Sequence, residues 1–306
     1  MVLGPEPGPL ADVPRAQGHQ VRVLQSHDAD ELSCALREIR PDGLIVDGYR
    51  FDDRLQAHWQ EVAPVRLTID DLVRPCRVAD IVLNQNLGHR AEEYAGLARP
   101  DATLLLGVRY ALLRREWRHT SAHPIRRQAD RLVLMMGAED TRLATEWVIR
   151  ALERIPQPRL EVAVVVGHRC QHLESIERAS AAGRHHYDLV RHPASVADLM
   201  RWADLGIIAC GSTAWECLAA GLPMVAFPVA ENQRRAAEEI RQADLGVVLP
   251  PWGGFNEERM AAAIQELLGD AATRRRMSEA GRRLVDGQGA RRVARALHAG
   301  RPQAVV

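Results

Sequence analysis

The sequence predicts an α/β protein made of two doubly wound domains that face each other, because two series of alternating strands and helices follow one another along the chain. The predicted strands are continuous runs of Val, Ile and Leu, a pattern typical of strands buried on both faces of a parallel sheet. The length of 306 residues suits two domains. We place the N-terminal domain over residues 1–125 and the C-terminal domain over residues 126–306, with the boundary in a polar, basic stretch around Pro124.

Each predicted element follows from the same alternation. In the first series we expect a helix over 28–40, capped by Asp28 or Asp30, and strands at 20–24, 43–46, 65–69, 80–83 and 103–106. In the second series we expect strands at 132–136, 160–166, 205–209 and 224–227, with helices over 141–153, 170–181, 213–220, 231–243 and most of 256–297. Ligands of such sheets bind beyond the carboxyl ends of the strands, so the loops after strands are the candidate sites.

Composition excludes several classes of protein. Lys plus Arg and Asp plus Glu are both 40, so a protein that binds nucleic acid by neutralising phosphates is not expected. No apolar run approaches the roughly 20 residues of a membrane span, and the N-terminus lacks the pattern of a secretion signal. The five cysteines are widely spaced and contain no CxxC pair, so we expect a reducing cytoplasm and neither a disulfide framework nor a metal site. The oligomeric state stays open.

The loop Cys210–Glu216, with the sequence CGSTAWE, is the strongest candidate site. One interpretation is a capping box, in which Thr213 caps the helix and Glu216 reaches back to it. In the other, Gly211 lets a phosphate approach the helix N-terminus, where free N–H groups and the helix dipole hold the anion, and Glu216 accepts from ribose hydroxyls. Spacing alone does not decide between them.

Two further loops of the second series could contribute. Gly137 ends a strand and is followed by Asp140 or Thr141 as a helix cap, which could form a second anion-facing turn or an ordinary connection. Asn232 and Gln233 lie in the loop PVAENQ at the start of the next helix, where they could be ligands or a solvated first turn.

In the first half, polar residues follow three neighbouring strands. Asp47 and Tyr49 follow the run GLIV, Asp70 and Asp71 follow VRLTI, and Asn84 follows DIVL. These residues predict a polar floor at one sheet edge. Paired carboxylates there could do acid–base work, and strand-end aspartates are also common in turns, so both interpretations stay open.

Several segments together resemble a known group of proteins. The segments IVDGYRFD, LTIDD, DIVLNQN, LLLGVRYALLRREW, MMGAED, GSTAWECLAAGLPMVAFPVAENQ and DGQGARRVA are similar to the UDP-sugar hydrolases of pseudaminic acid biosynthesis and to spore-coat polysaccharide biosynthesis proteins. The segment Gly107–Trp117 is fairly specific to this group, whereas the segment that begins GSTAWE is shared with two-domain glycosyltransferases. The resemblance runs from about Gly18 to about Ala296.

The resemblance implies a GT-B fold with a UDP-sugar in an interdomain cleft, and hydrolysis at the anomeric carbon without a cofactor. It implies that Ser212 and Thr213 face the diphosphate, Glu216 the ribose, and Tyr49 and Asn232 the reacting sugar. Gly137, Gly211, Glu231 and Gln233 complete the expected nucleotide-binding set. The expected substrate is a UDP-diacetamido-trideoxyhexose. The alternatives are a GT-B glycosyltransferase and a binding protein without catalysis.

The amino-terminal segment departs from the family. The group begins with a strand and a GxGHxxR loop whose histidine is the expected general base, whereas residues 1–17 read MVLGPEPGPLADVPRAQ. We therefore expect the base and a central strand to be missing, through truncation or replacement, and hydrolysis to be slow. The group has a glycine at the position of Ala138, so we also expect Ala138 to hold the backbone away from a phosphate.

Overall fold

The computed structural model describes residues 1–3, 11–26, 28–118, 123–140, 142–156, 159–167 and 169–300. The chain divides into two compact units. The first holds Met1–Asn84, Arg90–Leu105 and the residues from Val293 onward, and the second holds Gln85–His89 and Leu106–Arg292. This division differs from the predicted boundary after residue 125, because the segment that follows Leu106 packs against glycines near residue 288.

The first unit contains a two-stranded and a four-stranded sheet. The two-stranded sheet joins β1 (Val2–Leu3) to β2 (Arg22–Val23) in parallel. The four-stranded sheet runs in chain order through β3 (Leu44–Asp47), β4 (Arg66–Ile69), β5 (Ile81–Asn84) and β6 (Thr103–Leu106). Its helices are α1 (Asp12–Ala16), α2 (Ala29–Ile39) and α3 (Asp53–Ala57). Asp28 caps α2 by accepting from the N–H of Asp30, as one of the two predictions had it.

Residues 1–17 contribute a short strand, Val2–Leu3. Both residues precede the first proline and keep their N–H groups, so they can pair with β2. Within the described residues this pair is not hydrogen-bonded to the larger sheet, in which β3 is an end strand. Ile45 on β3 is 53% exposed, so this end strand presents an apolar side chain to solvent.

The second unit contains one parallel sheet of six strands in the order β12-β11-β10-β7-β8-β9. If β7 is numbered 1 and the sheet is read from β9 to β12, this is the 3-2-1-4-5-6 order of a doubly wound nucleotide-binding fold. The strands are β7 (Arg131–Met135), β8 (Glu161–Val166), β9 (His186–Arg191), β10 (Leu205–Ala209), β11 (Met224–Phe227) and β12 (Val247–Val248).

Helices cover both faces of this sheet. Leu205 and Ile207 pack into a core cluster on one face, and Ile208 packs into a second cluster on the other, as the alternation of a doubly buried strand requires. These helices are α4 (Ala144–Leu152), α5 (Leu173–Ala182), α6 (Val196–Trp202), α7 (Thr213–Ala220), α8 (Arg234–Gln242), α9 (Glu257–Gly269) and α10 (Ala271–Leu284). The last helix, α11 (Gly289–Ala299), begins in the second unit and continues into the residues of the first. Among the described residues, no helix is long and apolar enough to cross a membrane.

Candidate functional site

The strand order places one crevice of the second unit at the junction of β7 and β10. These strands are hydrogen-bonded neighbours, and the connections that follow them lead to opposite faces of the sheet. In doubly wound sheets, ligands bind outside the carboxyl ends of the strands at this junction. The loops that contain Gly137 and Gly211 therefore flank the expected binding position.

The start of α7 is left without a side-chain cap. Ser212 occupies the cap position with a helical backbone, and Thr213 is the first helical residue. The first turn is closed by the N–H of Ala214, which donates to the carbonyl of Gly211 at 3.0 Å. The predicted capping box is therefore wrong, because Thr213 lies inside the helix and the Glu216 carboxylate is engaged elsewhere. The positive end of the helix dipole therefore faces the loop, and no side chain accepts a capping hydrogen bond at Ser212.

The loop after β11 lies beside the α7 start. A Cβ built on Gly211 would come 3.7 Å from Nε2 of Gln233, whose Oε1 accepts from the N–H of Val229 at 2.9 Å. Gln233 ends a short 3₁₀ helix, Glu231–Gln233, on which the side chains of Glu231 and Asn232 are exposed. Glu231 pairs with Arg234 at 2.7 Å. The side chain of Gln233 therefore lies beside Gly211. Glu231 and Asn232 lie on the same 3₁₀ helix, but their exposed side chains are not placed against Gly211.

The loop after β7 differs from the α7 start because its helix is capped. The carboxylate of Asp140 accepts from the N–H groups of Ala144 and Thr145, at 2.8 and 3.1 Å, which occupies the N-terminus of α4. Leu143, and not the predicted Asp140, stands at the N-cap position of α4, so the Asp140 carboxylate bonds the helix start from three residues further back. Thr141 lies outside the described residues. Gly137 has a φ of +92°, whereas Ala138 has no positive φ, so the strain expected at Ala138 does not arise.

A cavity of about 230 Å³ opens beside this loop. Met136, Asp140 and Val229 line it, together with the side chains of Arg142 and Arg169. Arg169 pairs with Glu139 at 2.7 Å. Sequence patterns missed both arginines, since Arg169 follows β8 and is brought to the loop after β7 only by the pairing of those two strands.

Glu216 is a partly buried acid in the first turn of α7. Burial raises the pKa of its carboxyl group above the ordinary value, and the charge of Glu116 adds to this effect. The charge of Arg114 and a hydrogen bond from Trp117 act in the opposite direction. The bond joins the indole Nε1 of Trp117 to Oε1 of Glu216 at 3.3 Å.

Tyr49 lies in the first unit, in a cluster of polar side chains. Its hydroxyl donates to Oδ2 of Asp71 at 2.8 Å, and the Arg74 guanidinium lies 5.4 Å from the centre of its ring. Arg74 also donates to the Tyr49 carbonyl at 2.9 Å. Tyr49 is 58% exposed, so a polar ligand can reach its hydroxyl. Partial burial and the charge of Asp71 raise the pKa of Asp47.

Asp70 belongs to the same cluster and has a structural role. It is buried and accepts from the N–H and Nε of Arg74 and from the hydroxyl of Tyr94. Asn84 in turn donates to that hydroxyl at 3.0 Å. The predicted polar floor is therefore formed by residues at the ends of β3, β4 and β5. Among the described residues, no group of three or more His, Cys, Asp or Glu side chains could hold a metal ion.

Comparison with known families identifies the second unit. Residues 128–293 match the glycosyltransferase family 28 C-terminal domain, which is more than half of the chain. The chain belongs to this family. The α7 start and the loops after β7 and β11 all lie within the matched residues.

Curated relatives in this superfamily have several activities. Spore coat polysaccharide biosynthesis protein SpsG of Bacillus subtilis is 24% identical over 174 residues, which are 56% of this chain and 50% of the relative. The UDP-2,4-diacetamido-2,4,6-trideoxy-beta-L-altropyranose hydrolase of Campylobacter jejuni is 23% identical over 72% of this chain and 78% of the relative.

An N-acetylglucosamine transferase of Xanthomonas campestris, which acts on N-acetylmuramyl-(pentapeptide) pyrophosphoryl-undecaprenol, is 32% identical over 54% of this chain and 39% of the relative. The chain spans half or less of the length of the first curated relatives that it matches.

Solved structures establish the fold class. MurG of Acinetobacter baumannii aligns over 98% of this chain and 99% of its own, with a TM-score of 0.65 and 13% identity. The glycotransferase of kitacinnamycin aligns over 98% and 91%, with a TM-score of 0.65 and 16% identity. The predicted α/β fold of GT-B type with two Rossmann-like domains is confirmed.

Proposed function

We propose that this protein is an enzyme that binds a UDP-sugar and hydrolyses the bond between its anomeric carbon and the phosphate oxygen. The observation that carries the nucleotide part is the uncapped N-terminus of α7 at the β7–β10 junction. Such a helix start offers N–H groups and a positive dipole to an anion. The neighbouring α4 start cannot do so, because Asp140 occupies it.

The diphosphate is assigned to Ser212 and Thr213, with Gly211 allowing close approach. Glu216 lies one turn further into the helix, where its carboxylate can accept from the ribose hydroxyls. Gln233 supports the same loop from the side, and we keep Asn232 and Glu231 as residues near the phosphates or the sugar. Gly137 allows the turn after β7 through its positive φ.

At the reacting carbon, hydrolysis needs a water that loses a proton. Oxygen of water attacks the anomeric carbon, the bond from that carbon to the phosphate oxygen breaks, and UDP leaves with the bonding electrons. We propose that Tyr49 acts at the reacting sugar. The hydroxyl of Tyr49 donates a hydrogen bond to the carboxylate of Asp71. In this proposal the two groups hold the water, and the Asp71 carboxylate takes its proton.

Hydrolysis is preferred to transfer because the hydrolase relative extends over 72% of this chain and 78% of its own length. Transfer to a hydroxyl acceptor is the second candidate, since the C-terminal family and the 32% identical relative are glycosyltransferases. Both reactions release UDP from the same kind of nucleotide site. The substrate that we propose, by similarity to the hydrolase, is a UDP-diacetamido-trideoxyhexose.

Incubation with this UDP-sugar in ¹⁸O-labelled water tests the proposal. We expect free sugar with the label at its anomeric oxygen and unlabelled UDP, measured by mass spectrometry and phosphorus NMR. Label in the UDP phosphate would show cleavage on the phosphorus side. Release of UDP only after an acceptor sugar is added would favour transfer. A Tyr49→Phe variant should lose turnover and keep its affinity for UDP.

A further inference from the structure

The indole of Trp117 is completely buried and donates to the carboxylate that the proposed function assigns to the ribose. Trp117 is 0% exposed, and its Nε1–H points to Oε1 of Glu216. A buried indole N–H needs an acceptor, which could be any nearby oxygen. Here the acceptor is a side chain with rotatable bonds, so the hydrogen bond also restricts where the second carboxylate oxygen can point.

A second segment holds Trp117 in place. Gly287 packs so closely that a Cβ on it would lie 1.9 Å from the carbonyl oxygen of Trp117. Gln288 donates through Nε2 to the carbonyl of Arg118 at 3.2 Å, and Gly289 packs equally closely against the carbonyl oxygen of Ala111. The segment Asp286–Arg292 thus clasps the segment Gly107–Arg118. Both segments belong to the sequence stretches that carry the family resemblance, and neither has a role in the proposed function.

We propose that Trp117 is a positioning residue, which holds the Glu216 carboxylate so that its second oxygen can accept from the hydroxyls of a nucleotide ribose. This inference rests on the proposed role of Glu216 and adds a residue outside the nucleotide-binding loops. Burial disfavours an ionised carboxylate at this position, so a fixed N–H donor also helps to keep it charged. Because Gly287 and Gln288 hold the backbone at Trp117 and Arg118, they also help to fix the indole that contacts Glu216 in α7.

The test compares two nucleotides on two tryptophan variants. Trp117→Phe removes the N–H and keeps most of the ring. Trp215→Phe is the matched control, since Trp215 is buried beside Glu216 on α7 and, in the described part of the chain, makes no hydrogen bond to it. The nucleotides are UDP and 2′,3′-dideoxyuridine diphosphate, which has no ribose hydroxyls. Calorimetry gives the four affinities, and thermal unfolding checks that both variants are folded.

We expect Trp117→Phe to lower the affinity for UDP about 3- to 10-fold, which is in the range of one lost hydrogen bond, and to leave the affinity for the dideoxy nucleotide unchanged. Trp215→Phe should shift both affinities equally or not at all. An equal loss for both nucleotides with Trp117→Phe, or no loss, would overturn the positioning role. If the unaltered protein binds the two nucleotides equally, the ribose role of Glu216 fails, and the inference fails with it.

Discussion

At the level of single residues, Glu216 combines two properties that oppose each other. In the role that we propose, its carboxylate accepts from ribose hydroxyls, which the ionised form does most strongly, while burial raises its pKa and makes that form costly in the unliganded protein. Trp117 and Arg114 offset part of this cost. Binding residues commonly reduce stability in this way.

We therefore expect Glu216→Gln to stabilise the unliganded protein at neutral pH. A carboxyl group whose pKa is raised by folding contributes stability below its unfolded pKa, and this contribution is lost as the pH rises through the folded pKa. The variant keeps the acceptor oxygen and carries no charge, so its melting temperature should exceed that of the unaltered protein at pH 7. Each kcal/mol corresponds to about 2–4 °C.

The pH series contains its own check. The advantage of Glu216→Gln should shrink as the pH falls toward 4.5, the ordinary value for a glutamate. Glu177→Gln, on the exposed face of α5, is the control and should show no such trend. A melting temperature of Glu216→Gln that is lower than that of the unaltered protein at pH 7 would show that the charge stabilises the site.

The residues of the α7 start could be predicted from the sequence because a strand, a glycine and a helix start are local patterns. Trp117 and Arg169 could not, since their positions depend on pairing and packing between segments that are distant along the chain. The capping box failed for a related reason. Thr213 and Glu216 have the spacing of a capping box, but the Glu216 carboxylate accepts from Trp117, which is 99 residues away in the chain.

At the level of elements, the clasp of Gly107–Arg118 by Asp286–Arg292 requires glycine at position 287. This residue has a φ of +70°, and a side chain there would collide with the Trp117 carbonyl. Gly287→Ala should therefore lower the free energy of unfolding, measured in urea, through both strain and collision. Gly287→Ala should also lower the affinity for UDP, because it displaces Trp117.

Gly253→Ala separates the two causes. Gly253 has a φ of +87°, and no atom lies within 4 Å of its Cβ position. Gly253→Ala should lower the free energy of unfolding by about 1–2 kcal/mol, from backbone strain alone. We expect Gly287→Ala to cost at least about 2 kcal/mol more. Equal costs for the two variants would mean that the clasp adjusts and carries no tight contact.

Elements that a continuous apolar run or a clear helix start marks in the sequence have the predicted bounds, as β10, α7 and β11 show. Short elements were missed, among them α1, α3, α6 and β12. Two-residue strands such as β1 have no periodicity of their own and form only because a partner strand supplies hydrogen bonds.

At the level of the whole molecule, the two units differ in how their sheets are completed. β10 lies between β11 and β7 and is buried along its whole length. β3 is an end strand with only one of its four residues buried. Amides of β3 should therefore open at lower free energy than those of β10.

Hydrogen exchange read by mass spectrometry compares these strands in one experiment. We expect peptides that contain Gly43–Val46 to exchange faster than peptides that contain Leu205–Ala209. Comparable slow exchange in both would mean that another segment protects the β3 edge.

The central claim is that the α7 start binds the diphosphate of a uridine nucleotide, and calorimetric titration with UDP tests it most directly. The full chain should bind UDP and bind uridine, which lacks the diphosphate, much more weakly. Glu216→Ala should lose about 5- to 150-fold in UDP affinity, the equivalent of about 1–3 kcal/mol for a hydrogen bond to a charged group. No binding of UDP, or equal affinity of the full chain for UDP and uridine, would contradict the account.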